Sequence, residues 1–310
     1  MRTYVSVIGA LLSVLALGCG DLQIAGVDEP LRVEGATFHS GKPPESVIGE
    51  GPRVTTISLS LGTIPSGGQG VRVEGNVTED AHAIALFLVG HGSGYWVMPV
   101  QGLDPAAPGE RIFQGRLNFG EIPPGIQSLR IVALDEHGNS GGHQDRPFCV
   151  LNPVFDNGNA CNPSNDPPEL VVSLVFDNSA DVDLILTGYD GTIVDAKHPV
   201  GGSGDRLDPT APRLDRDSNT RCVPDGLNRE NIYIRELPDD PDAWWEVYVD
   251  LFHACGFKSI TYAVEIYRRA ENEDGTKRLD LVERNVGFLR AEDAAGATGG
   301  RIYVTTLTPH

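Results

Sequence analysis

The chain has 310 residues, with 24 basic against 43 acidic side chains and a formal charge of −19. That balance excludes nucleic acid as a partner, because binding phosphate requires a cationic surface. The length leaves room for two domains, and the acidity suits an exported protein kept soluble by its charge.

Residues 1–18 read as a secretion signal. Arg2 is basic and residues 5–17 are almost all apolar, a run shorter than the roughly 20 residues that span a bilayer. The run ends in "LALGCG", with Gly18 directly before Cys19, and this resembles the lipobox of bacterial lipoproteins. The resemblance implies that Cys19 becomes the lipid-modified first residue. It also implies, with Gly20 rather than an aspartate following, attachment to the outer membrane, facing the periplasm or the cell surface. Residues 19–50 are rich in Gly, Pro and acids without periodicity, and are expected to form a flexible tether.

From 51 to 150 the pattern is that of short strands. Ile57, Leu59 and Leu61 alternate with serines, "VRVEGNV" at 71–77 alternates likewise, and "AIALFLV" at 83–89 is a buried run. Phe113, Leu117 and Phe119 share one face, and "SLRIVALD" at 128–135 is apolar on both faces, as a central strand would be. Turn residues such as "PSGGQG" and "EIPPG" separate these runs, which predicts an antiparallel β-sandwich. The series "VRVEGNV", "FQGRL" and "IVALDEHGNSG" resembles bacterial immunoglobulin-like modules, with Ala133, Asp135, Gly138 and Asn139 matching their closing turn. A linker at 151–168 follows, its "DNGNACNPSNDPP" unsuited to any strand.

Residues 169–310 predict a second all-β sandwich. "LVVSLVF" opens it. In "WWEVYVDLF", Trp245, Val247, Val249 and Leu251 alternate with Trp244, Glu246, Tyr248 and Asp250. Ile260, Tyr262, Val264 and Ile266 share a face, and "GRIYVTTL" supplies a closing strand. Setting Cys19 aside leaves Cys149, Cys161, Cys222 and Cys255, an even number that points to two disulfides in an exported chain. Of the three possible pairings, Cys149–Cys161 with Cys222–Cys255 is favoured, since each bond then stays within one region. A four-cysteine zinc site lacks the necessary close spacing.

The second region is also where acids gather. Asp181 and Asp183 face one side of the strand in "DNSADVDLIL", and a long acidic loop follows the "GYDG" turn. "LVVSLVFDNSADVDLIL", "YDG", "GGSGDRLD", "LDRDSN", "RENI" and "WWEVYVDLF" succeed one another in the order that resembles the YfaP-type family of bacterial exported proteins. The resemblance covers residues 169–267, and implies a β-sandwich without established catalysis. Phe176 stands where that family usually has Trp, Tyr189 where it has Pro, and Cys222 lies in an enlarged loop.

Calcium is the cofactor these acids suggest, because it takes 6–8 oxygen ligands. Asp215, Asp217 and Asn219 have the D-x-D-x-N spacing of calcium loops, without the Gly, Glu and helices of an EF-hand. Asp181 and Asp183 would join them if the loop folds over the strand. Capping of backbone amides is the competing reading.

No enzyme signature emerges. Ser93 in "GHGSG" is one place off the nucleophile position of G-x-S-x-G, and the histidines are scattered. The sequence thus predicts a non-enzymatic binding or structural module that meets an envelope protein or a glycan. Two rivals are a carbohydrate-binding protein using Trp244 or Trp245, and a hydrolase whose site no motif reveals.

Overall fold

The computed structural model describes residues 25–309 apart from 48, 50, 203, 205, 206 and 297–299. Residues 1–18, expected to be a secretion signal, and Cys19 therefore lie outside the described residues. Among those described the regular structure is β-strand, with two single turns of 3-10 helix and no α-helix.

The first sandwich pairs a four-stranded with a six-stranded sheet. One contains β1 (Leu31–Val33), β8 (Glu110–Phe119), β5 (Val71–Thr78) and β3 (Val54–Leu59), in that order. The other runs β2 (Thr37–Ser40), β7 (Gly94–Pro99), β6 (Ala83–Leu88), β9 (Gly125–Leu134), β10 (Ser140–Val150) and β4 (Thr63–Ile64). All pairings are antiparallel except the short β10–β4 contact. Alternation in β5 and β8 sends Val71, Val73, Val77, Phe113, Leu117 and Phe119 into the shared core, where they meet Ile84, Leu86, Leu129 and Phe148 of the facing sheet. β9 lies between β6 and β10, as its double apolar face requires.

Two expectations need correction here. Residues 19–50 are not a tether throughout, because β1 pairs with β8 and buries Leu31 and Val33 in the core. Two apolar residues in three are too few to show a period, so only the partner strand reveals them. Leu61 also departs from the face of Ile57 and Leu59: β3 ends at Leu59, and Leu61 is exposed.

The second sandwich has its own core. One sheet runs β14 (Arg213–Leu214), β15 (Arg229–Ile234), β11 (Leu170–Phe176), β17 (Ser259–Glu271) and β18 (Lys277–Arg290). The other runs β13 (Ile193–Val194), β12 (Asp181–Gly188), β16 (Trp245–His253) and β19 (Ile302–Leu307). Val182, Leu184 and Leu186 of β12 lie beside Trp245, Val247, Val249 and Leu251 of β16 on one inner face, which packs against Ile260, Tyr262, Val264 and Ile266 of β17 in the facing sheet. Each such side chain contributes about 1.5–3 kcal/mol when fully buried.

The disulfides join Cys149 to Cys161 and Cys222 to Cys255. The first ties the segment between the sandwiches to the end of β10, and the second ties the long loop before β15 to the turn after β16.

Replacing Leu31 by alanine separates a core strand from a tether. Urea unfolding of Leu31→Ala should show a loss of about 2–5 kcal/mol, the range for a truncated buried leucine, whereas a tether residue would leave stability unchanged.

Candidate metal centre

The candidate site lies on the outer face of the β12–β16 pair. Because Val182 and Leu184 are committed to the core, Asp181 and Asp183 must point the other way. Register then places Asp250 of β16 directly opposite Asp183. Like charges in that position repel. Asp217 reaches the same spot from the loop between β14 and β15. One carboxylate oxygen from each of Asp181, Asp183 and Asp217 lies within 4.8 Å of the others. Oxygens bound to one calcium ion at 2.3–2.6 Å can be at most about 5 Å apart, so the three fit a single ion.

Burial makes these carboxylates costly as anions. It pushes Asp183 up to about 7, with Asp181, Asp217, Asp250 and Asp195 adding repulsion. Burial also raises Asp181, against the pull of the Arg221 amide, which donates to Oδ2 at 2.8 Å. Asp250 is raised for the same reason, partly offset by the Gly300 amide, Arg301 and Lys197. Oδ1 of Asp217 and Oδ1 of Asp250 are inaccessible to solvent and lack a hydrogen-bond partner within the protein.

Glu230 of "RENI" holds the ligand segments together. It is fully buried, and its two oxygens accept from Leu184 N at 2.8 Å and Ser218 N at 2.9 Å. Those amides belong to the residues just after Asp183 and Asp217. Burial, and next the charge of Asp183, hold Glu230 well above the usual carboxylate range.

The loop itself is strained. Asn219, Arg221, Cys222 and Asn228 all adopt left-handed backbone angles, with φ between 48° and 62°. Non-glycine residues rarely do so unless the surroundings over-determine them. Here the disulfide to Cys255, the Glu230 bridge and the Asp181–Arg221 bond supply that restraint.

Two of the five predicted ligands are elsewhere. Asp215 accepts from the Asn231 backbone and side-chain nitrogens, each at 2.8 Å, and so fastens the loop to β15. Asn219 is buried, donating to Ala180 O and Asn228 Oδ1 and accepting from Asp225 N. Both perform the capping that competed with calcium. The D-x-D-x-N spacing therefore delivers one ligand rather than three, because Asp215 and Asn219 are already engaged by their own neighbours. Asp250 is absent from the expected ligands, because its signal is strand register, which a single sequence does not display. Glu230 lies in the expected "RENI" segment, without a role assigned to it there.

The tryptophans divide. Trp245 is a core residue and is closed to any ligand, while Trp244 at the mouth of the strand is 38% exposed.

No protein-family model and no curated protein matches the chain. Among solved structures, it is similar to dimeric latent PorU from Porphyromonas gingivalis at 10% identity and a TM-score of 0.23, over 76% of this chain but 20% of that one. The C-terminal domain of the Streptococcus agalactiae AgI/II polypeptide BspA matches at 10% identity and TM-score 0.22, over 76% of this chain and 99% of that one. The fibronectin(III)-like modules of Clostridium thermocellum CbhA match at 9% identity and TM-score 0.18, over 77% and 95%. At these scores none of them bears on the site.

The raised carboxylates set a pH dependence for the metal-free protein. Folding holds a proton on Asp183 up to about pH 7, while the unfolded chain releases it near pH 3.9. Stability from this group is therefore complete below about 4 and is lost as pH rises through about 7. In chelator, the melting midpoint should fall between pH 5 and pH 8. Asp183→Asn should flatten that decline and melt above the parent chain at pH 8.

Proposed function

We propose that the chain is a non-enzymatic, lipid-anchored envelope protein whose second sandwich binds calcium and uses it to order a binding loop. The observation that carries this reading is the convergence of Asp181, Asp183 and Asp217 within 4.8 Å, beside buried carboxylate oxygens without partners. An all-oxygen donor set suits a hard cation and disfavours zinc. Ligands drawn from a strand and a loop tolerate the irregular coordination of calcium better than the strict octahedron of magnesium. The ion would join loop to sheet, and extracellular modules of this kind bind calcium at about 10⁻⁴–10⁻³ M.

The lipid anchor rests on the "LALGCG" segment and its resemblance to a lipobox. The two disulfides agree with export. Partners would then be met at the envelope, through an edge or loop of either sandwich. The YfaP-type resemblance favours the same non-catalytic reading.

Calcium at 10 mM should raise the melting midpoint of the mature chain by about 3–10 °C, the shift expected for a site filled to about 10–100 times its Kd. Asp217→Asn should abolish the rise. Asp215→Asn should lower stability equally with and without calcium. A midpoint indifferent to chelator would eliminate the calcium reading. Cells expressing Cys19→Ala should fail to incorporate labelled palmitate into the protein, and labelling of that variant would eliminate the anchor.

A further inference from the structure

The space beside the aspartates is larger than an ion requires. Its volume is about 250 Å³, well above the roughly 10–15 Å³ that a single water requires. Asp183 and Asp250 line it from paired positions, Ile185 and Phe252 lie to either side of that pair, and Lys197 and Arg301 border it. Phe252 is the extra residue of a β-bulge, where β16 sets three residues against Asp181 and Val182 of β12. Bulges next to sites commonly re-aim a side chain.

Two features point to a ligand with more than one kind of group. Asp250 is only 5% exposed, yet its Oδ1, on a residue lining the space, has no hydrogen-bond partner. Buried acceptors of that kind are rare unless something enters to meet them. Lys197 makes no ion pair among the described residues, although its backbone is fixed. Asp195 Oδ1 accepts the amides of Lys197 and His198 at 2.9 and 2.7 Å. Arg301, by contrast, already faces Asp195 at 3.9 Å.

We propose that this cavity binds a carboxylated sugar of the uronic acid class, and this rests on the calcium reading above. The three aspartates leave part of a coordination shell of 6–8 oxygens to water or ligand, and adjacent sugar hydroxyls replace two waters on one ion. The ring's C–H face lies against Phe252, and its carboxylate pairs with Lys197. A neutral sugar offers no carboxylate to Lys197, while a bare inorganic anion leaves Phe252 uncovered.

Isothermal titration of the calcium-loaded mature chain with methyl glucuronide and methyl glucoside tests the carboxylate directly, since the two ligands differ there alone. The glucuronide should bind roughly tenfold more tightly, the scale of one hydrogen bond to a charged group. Lys197→Ala and Lys197→Gln should each bring the two ligands to within about twofold, and chelator should remove binding. Equal binding of both ligands overturns the proposal, as does glucuronide binding in chelator. So does the absence of binding to protein whose midpoint calcium has raised, and in that case the calcium reading stands. A midpoint that calcium does not move overturns both.

Discussion

The second sandwich is organised around a repulsion. Asp183 and Asp250 face each other across neighbouring strands, and neither strand can shift to relieve it. A slip of one residue would turn Leu184, Val249 and their neighbours out of the core and carry the aspartates in. The hydrophobic pattern of the inner face therefore fixes an unfavourable arrangement on the outer one. Whatever neutralises the carboxylates must come from outside the sheet.

The long loop before β15 packs over these carboxylates and is held there tightly. It brings a further carboxylate, Asp217, together with Arg221, whose amide donates to Asp181. Its backbone is forced through several left-handed residues and then secured by the Cys222–Cys255 bond. Glu230 ties the amides after Asp183 and Asp217 to one side chain, so the two ligand segments cannot drift apart independently. Concentrating negative charge in a partly enclosed space, with strain invested in keeping it there, makes physical sense when a cation belongs among the charges. Among the described residues, acids of the first sandwich are paired individually: Asp135 accepts the amides of His137 and Asn139, and Asp145 pairs with Arg130 on the neighbouring strand.

The parts of this arrangement that sequence reveals are those governed by short-range alternation. Strands β5, β8, β16 and β17 announce their inner faces, and the cysteine pairs follow from parity and proximity along the chain. β1 escaped notice because three residues are too few for a period. β18 escaped because its residues are largely exposed and its apolar side chains, such as Val286 and Phe288, lie on the outer face. The site was half legible. Asp181, Asp183 and Asp217 were identified from their acidity and spacing. Asp215 and Asn219 matched the same spacing but are consumed by Asn231, Ala180 and Asp225. Asp250 looked like an ordinary outward strand residue, and its significance depends on a strand pairing that joins residues 67 positions apart.

The decisive measurement is a crystal structure of the chain grown at neutral pH in calcium. One ion is expected, bonded at about 2.3–2.6 Å to oxygens of Asp181, Asp183 and Asp217, with Glu230 still bridging Leu184 and Ser218. An ordered loop with no ion among these carboxylates, and a proton shared between Asp183 and a neighbouring carboxylate, would contradict the calcium reading.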